Sequence, residues 1–186
     1  MKNDISAICS ELKKTADDAT EAFGSMTAEQ LNWKPAEKSW SVGQCFDHLI
    51  TTHSLYFPLF ERLADGPPTM SFWERYSPLS GFFGKFLIKG LRPENPKKMK
   101  TTARAEPSAS EIDSDIIGRF SEHQDRMIRS LQNVSADIDP VKTKVTSPLL
   151  AIVTYSLDDC YTILAVHCER HLGQARRVTE TEGFPD

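Results

Sequence analysis

The sequence predicts an all-α protein, a four-helix bundle formed by a single domain over residues 1–186. Four segments repeat apolar residues at three- and four-residue steps, which is the pattern of helices with one buried face. Strand patterns are nearly absent, and most prolines lie between the four segments. Four amphipathic helices of this length are typical of a bundle.

The first two helices are delimited by clear start and stop signals. The first is predicted over about residues 3–23, and Gly24 follows it as a stop signal. The second begins after Ser41, because a serine followed three residues later by Gln44 forms a capping box. We expect this helix to continue to about residue 64, before the sequence Asp-Gly-Pro-Pro.

The third and fourth helices follow the same logic. The third is predicted over about residues 111–134 and the fourth over residues 156–179, where an S-x-x-D motif at Ser156 provides the cap. Only residues 149–155, LLAIVTY, are apolar and β-branched enough for a strand. Because Pro148 precedes them, the same residues are equally readable as a helical turn.

Composition and charge exclude several classes of protein. The chain has 22 basic and 26 acidic residues and a net charge of −4, which gives no basic face for nucleic acid. No apolar run approaches the roughly 20 residues that cross a bilayer, and the charged N-terminus lacks the apolar core of a signal peptide. The four cysteines show no C-x-x-C spacing. We therefore expect a reduced, cytoplasmic protein without nucleic-acid or membrane partners.

The connector between the second and third helices, residues 65–106, is too long for an ordinary bundle connection. Its basic residues crowd between residues 85 and 104. It is either a lid, a dimer contact or an anion-attracting surface, or a crossover whose lysines lie in solvent. We expect some of its aromatic side chains to be buried. These are Phe72, Trp73, Tyr76, Phe82, Phe83 and Phe86.

Two of the five histidines have the spacing of a metal site. His167 and His171 stand four residues apart on the fourth helix, about 40° apart around its axis, so both rings can reach one zinc or nickel ion. A third ligand must come from another helix. His48, His53 and His123 are the candidates, although His48 and His53 are about 140° apart and cannot both serve one ion. Their positions on apolar stripes favour core roles for His53 and His123.

Two motifs give the sequence a family resemblance. The W-S-V-G-Q-x-x-x-H-L pattern at residues 40–49, with H-C-E-R-H-L-G-Q at residues 167–174, resembles the DinB/YfiT-like superfamily of metal-binding four-helix proteins. The lead-in MTAEQLNWKP and the T-Y-S-L-D-D at residues 154–159 fit the same family. The resemblance implies a divalent zinc or nickel ion held by His48, His167 and His171. It also implies a homodimer.

Three neutral imidazoles leave a coordination position open, where a divalent ion activates a water molecule or a thiol. The resemblance implies hydrolysis or a thiol-dependent transfer or isomerisation, with bacillithiol or mycothiol as the thiol. We therefore predict a metal-dependent enzyme acting on a small molecule, by hydrolysis or thiol transfer. One alternative is a non-enzymatic stress-response protein that binds a metal or ligand. Another has no metal, and its histidines hydrogen-bond within a helix interface.

Other residues near the motifs contribute less to this prediction. Cys45 and Cys160 lie within one and two turns of the histidines, and a thiolate ligand from either would close the metal site. Both are more simply interpreted as small buried residues. We expect Arg170 to form a salt bridge with Glu169 or with a carboxylate on a neighbouring helix. No general base is evident from the sequence.

Overall fold

The fold is an all-α bundle of four long helices with short elements added between them, which confirms the predicted fold class. The computed structural model describes residues 5–95, 102–108 and 111–186. No helix within these ranges is both long and apolar enough to cross a membrane. In chain order the helices are α1 (Ile5–Phe23), α2 (Ala28–Asn32), α3 (Val42–Ser54), α4 (Phe57–Ala64), α5 (Phe72–Tyr76), α6 (Ser80–Leu91), α7 (Ile116–Gln132) and α8 (Leu157–Thr179).

The bundle consists of α1, α3, α7 and α8. Helices α1 and α3 each pack against both α7 and α8, so the four surround one core. Each contributes fully buried apolar side chains, for example Leu12, Leu49, Phe120 and Leu164. The predicted caps are present: the Ser41 side chain accepts from the Gln44 amide, and Ser156 accepts from the Asp159 amide. Periodicity and caps thus determine the bundle locally, and burial of the shared faces stabilises it.

The predicted second helix is divided into two. α3 ends at Ser54, and α4 begins at Phe57 with Pro58 in its first turn. Proline has no amide hydrogen, and its ring clashes with the carbonyl four residues earlier, here that of Ser54. The apolar stripe continues through both helices, with Leu49 and Phe60 buried alike, so periodicity alone does not reveal the break.

The third bundle helix starts five residues later than predicted. Instead of helix, the segment before Ile116 contains an extended pairing in which Ile112 donates its amide to Asn32 Oδ1 at 2.8 Å. The Asn32 amide nitrogen in turn donates to the Ile112 carbonyl at 2.9 Å. The Ile112 carbonyl, which would accept the Ile116 amide in a helix that began at residue 111, accepts from Asn32, and the Ile116 amide bonds to the Asp113 carbonyl. The first helix lies as predicted from Ile5 onward, and its predicted start falls outside the described residues.

A small antiparallel sheet precedes α8. β1 (Lys144–Thr146) pairs with β2 (Thr154–Ser156), with Val145 opposite Tyr155. β2 overlaps the end of the predicted strand segment, whereas β1 has only three residues and was not predicted. The Tyr155 hydroxyl lies 2.9 Å from the Tyr56 hydroxyl in the interior, which attaches the sheet to the bundle.

The long connector is partly structured and returns to the bundle. It forms α5, α6 and a 3₁₀ turn at Ala103–Ala105; α6 packs on α8, and the 3₁₀ turn packs on α3. The expected burial of its aromatic side chains holds for Phe83, which is half-buried against the core. The other five are between 47% and 79% exposed: Phe72, Trp73, Tyr76, Phe82 and Phe86.

Candidate metal centre

The packing of α3 against α8 brings three histidines together in the interior. His48 lies on α3 two turns after the Ser41 cap, and His167 and His171 lie on consecutive turns of α8. All three are buried. One ring nitrogen from each lies within 4.8 Å of the others, and no other set of three acidic, cysteine or histidine side chains meets this criterion in the described ranges. These are the three residues that the family resemblance implied.

The ring nitrogens of this cluster face one another. His48 Nε2 and His167 Nε2 are 3.1 Å apart. The Nδ1 atom of His171 is buried and has no hydrogen-bond partner among the described residues. A buried polar group without a partner is costly unless something satisfies it. The converging nitrogens therefore fit a bound cation.

Burial keeps these imidazoles neutral. It lowers the pKa of His48, an effect that the Ala105 carbonyl partly opposes. The pKa of His167 falls to about 3, through burial first and then through repulsion from His48 and Arg170. Burial, followed by the neighbouring histidines and Arg170, lowers the pKa of His171 well below its usual range. At neutral pH the cluster thus offers uncharged nitrogens with lone pairs, as transition-metal binding requires.

Surrounding groups orient the rings. His48 donates from Nδ1 to the Ala105 carbonyl of the 3₁₀ turn, and Thr52 Oγ1 lies 3.4 Å from the same nitrogen. Trp40 stacks on His171, with centroids 5.5 Å apart, and packs on His48 at 4.8 Å. Metal-binding histidines characteristically donate the N–H of the ring nitrogen that does not face the metal to a carbonyl or a carboxylate, and the bond from His48 to Ala105 is of this kind. The sequence indicated Trp40 only as the first residue of the motif at residues 40–49, and it gives no signal for a backbone carbonyl.

His53 is a core histidine, as predicted, but it also contacts the cluster. Its side chain is 1% exposed, and its Nε2 lies 3.1 Å from His167 Nδ1. His123 is also buried, and its Nε2 lies 3.2 Å from Ser54 Oγ, away from the cluster. Of the three candidates for a third ligand, His48 is the one whose ring nitrogen lies within 4.8 Å of those of His167 and His171.

The two cysteines that the sequence placed near the site do not join it. Cys45 and Cys160 are fully buried, and neither belongs to the group of converging ligand atoms. Burial raises the pKa of the Cys45 thiol to about 12 and that of Cys160 higher still. Both therefore stay protonated, and a thiol is not the form that binds metal.

Arg170 connects α8 to the long connector through backbone carbonyls. Its Nη1 donates to the carbonyls of Gly90, Arg92 and Asn95, at 3.4, 3.2 and 3.1 Å. The carbonyls of Gly90 and Arg92 lie at the C-terminal end of α6, which carries partial negative charge, and Asn95 follows in the turn after it. Arg170 therefore fastens the connector to α8, one residue before His171.

A helical bundle with a buried cluster of three neutral histidines from two facing helices has the donor set that metal-binding bundle proteins use. Comparison with known families makes the class specific. The DinB superfamily model matches residues 11–175, so the chain belongs to the DinB superfamily. This confirms the resemblance drawn from its two histidine motifs.

A solved structure has the same fold. YfiT from Bacillus subtilis, described as a probable metal-dependent hydrolase with an unusual four-helix bundle topology, superposes with a TM-score of 0.59. The match covers 100% of this chain and 91% of that one, at 15% sequence identity. Among curated proteins, none matches the sequence significantly. At this identity the structural match supports the fold alone.

Proposed function

We propose that the protein is a metal-dependent enzyme that acts on a small molecule, by hydrolysis or by thiol transfer, with Zn²⁺ or Ni²⁺ held by His48, His167 and His171. The observation that carries this proposal is the convergence of three buried, neutral imidazoles within 4.8 Å of one another. Structural zinc sites are usually closed by four protein ligands, whereas three ligands leave a position for water or substrate.

The chemistry follows from the charge of the site. A divalent cation bound there would supply a Lewis acid for activating water or a thiol. The three histidines bring no negative charge, so they leave the charge of such an ion uncompensated. Trp40 covers the rings of His48 and His171 and keeps water from that side. The description of YfiT as a probable metal-dependent hydrolase supports the hydrolytic form of the proposal.

The test is turnover by protein loaded with Zn²⁺ or Ni²⁺. We expect the loaded protein to hydrolyse an activated ester, or to couple a low-molecular-weight thiol to an aryl halide, faster than metal-stripped protein does. The rate should fall to the stripped level in His171→Ala, while His123→Gln, a change at a buried histidine outside the cluster, keeps it. Tight metal binding with no metal-dependent turnover in either assay would contradict the enzyme and favour the non-enzymatic alternative.

We further propose a homodimer that forms through the exposed aromatic surface of α5 and α6. A fully exposed aromatic side chain offers roughly 200 Å², so the five exposed rings together present roughly 600 Å². Leu79 and Ile152 add to it, at 49% and 74% exposure, and Trp73 donates to the Ile152 carbonyl at 3.2 Å. The total is close to the roughly 800 Å² per partner of a standard interface.

Light scattering on the purified protein tests the dimer. We expect a mass near twice 20.9 kDa for wild type. The double variant Phe82→Ser and Phe86→Ser should give a monomer, because these two stacked rings lie on the outer face of α6. Val141→Ser, at an exposed apolar residue outside both helices, is the matched control and should stay dimeric. A monomeric wild type, or a dimer that survives the double change, would contradict this interface.

A further inference from the structure

A continuous chain of hydrogen-bonding groups runs through the metal cluster and beyond it. It begins at the Ala105 carbonyl, which accepts from His48 Nδ1. His48 Nε2 then faces His167 Nε2 at 3.1 Å, and His167 Nδ1 faces His53 Nε2 at 3.1 Å. The chain ends where His53 Nδ1 lies 3.9 Å from Cys168 Sγ. Every side chain in it is buried.

Without an ion, the hydrogen bonds of this series can have only one donor-to-acceptor order. A carbonyl only accepts, so His48 carries its proton on Nδ1, and its Nε2 is an acceptor because a neutral ring has a single N–H. His167 must then donate from Nε2, which leaves its Nδ1 bare. His53 in turn donates from Nε2 to that nitrogen, and its own Nδ1 accepts from the Cys168 thiol.

An ion bound at Nε2 of His167 requires the opposite donor-to-acceptor order from His167 to Cys168. That nitrogen must then be bare, so the proton of His167 sits on Nδ1 and is donated to His53 Nε2. His53 must accept there and carries its proton on Nδ1, facing Cys168 Sγ. The sulfur can accept, since it already receives the Gln124 Nε2–H at 3.4 Å. His48 does not change, because the Ala105 carbonyl fixes its tautomer in both states.

We propose that His53 is a positioning residue for the metal centre, and that its tautomer reverses from Nε2–H to Nδ1–H when an ion binds to His167. The inference rests on the proposed metal site. The protons balance: the Nε2 proton of His53 crosses to His167 Nδ1, His167 releases its Nε2 proton to solvent as the ion binds, and His53 takes up one proton from solvent at Nδ1, so that one proton leaves and one enters. Both rings stay neutral. The reversed hydrogen bond orients the His167 ring and increases the basicity of its metal-facing nitrogen.

The direct test is nitrogen NMR of the histidine side chains. The ¹⁵N-labelled protein is compared without metal and with one equivalent of Zn²⁺, and the two ring nitrogens of each histidine report its tautomer. We expect His53 to change from Nε2–H to Nδ1–H, while His48 keeps Nδ1–H and His123 keeps its tautomer. If Zn²⁺ binds the three ligands and His53 stays unchanged, the positioning role is wrong and the metal site stands. If no Zn²⁺ binds, the proposed function fails first.

Substitution at His53 gives a second test with a built-in rescue. Glutamine can both donate and accept, so His53→Gln should hold Zn²⁺ within about threefold of wild type. His53→Leu can do neither, and we expect about 10- to 100-fold weaker binding, the usual cost of losing such a partner. His123→Leu controls for removing a buried histidine outside the chain, and circular dichroism checks that each variant folds. Equal Zn²⁺ affinities for the leucine variant and wild type would overturn the proposal.

Discussion

A His48→Ala variant is expected to lose the metal that wild type carries. His48 supplies the only ring nitrogen of the cluster that comes from α3, and its partners on α8 cannot complete a three-ligand site alone. Losing a hydrogen-bond partner of a ligand histidine already weakens metal binding about 10- to 100-fold. Losing a direct ligand should weaken it more. His171→Ala should behave the same way, because it removes one of the two ligands on α8.

The measurement is metal content by mass spectrometry, on protein purified without an affinity tag or a chelator. We expect about one zinc or nickel per chain in wild type and nearly none in either alanine variant. His123→Ala, at a buried histidine that contacts Ser54 and not the cluster, should keep the metal. Retention in His48→Ala would mean that the third ligand has been assigned wrongly. Absence of metal from wild type, even after reconstitution, would leave the bundle intact and remove the enzymatic interpretation.

The helices of the bundle could be predicted because their signals are local. Apolar periodicity and the caps at Ser41 and Ser156 act within a few residues, and the structure has both caps where the sequence indicated them. The break before α4 was missed because Pro58 interrupts the backbone but not the apolar stripe. The late start of α7 depends on Asn32, which is 80 residues away in sequence. No local pattern records that contact.

The site was predictable to the same extent. The four-residue spacing of His167 and His171 is a property of one helix, and it indicated two ligands without any knowledge of the fold. The choice of His48 needed the family motif, because it depends on how α3 packs on α8. The role of His53 was not predictable: its stripe position indicated burial, but the nitrogen that it faces belongs to another helix. The Ala105 carbonyl is a backbone atom and leaves no trace in sequence.

Acid is expected to destabilise the metal-stripped protein strongly between pH 7 and pH 5. Burial lowers the pKa of His167 to about 3 and that of His123 to about 4, and it lowers the pKa values of His53 and His171 well below their usual range. In the unfolded chain these groups titrate near about 6.5. Between those values the unfolded chain binds more protons, so the free energy of unfolding falls as the pH falls. The contribution of these neutral histidines to the free energy of unfolding is fully present above about pH 6.5.

The expected slope is steep because several histidines act together. Each contributes up to about 1.4 kcal/mol per pH unit, and the four approach about 5 kcal/mol per unit, which is comparable with the whole stability of an ordinary domain. Glu169 has the opposite effect on the pH dependence, because partial desolvation and the nearby carboxylates of Glu11 and Glu94 raise its pKa, but it is a single group. Urea unfolding of stripped protein at pH 7, 6 and 5 measures the slope. His123→Gln should reduce it by about one histidine, and a flat profile would contradict the buried neutral cluster.

Bound Zn²⁺ should increase the free energy of unfolding by the same amount at each pH, so that its slope against pH does not change. Burial lowers the pKa of His167 to about 3 and holds that of His171 well below its usual range, so protons compete little with the ion for these two ligands between pH 7 and pH 5. An ion that binds only the folded chain adds a stabilisation set by its concentration and affinity. The loaded and stripped curves should therefore run parallel from pH 7 to pH 5. If they converged as the pH fell, the histidines would be gaining protons in the folded state, and burial would not be what keeps this cluster available to a metal.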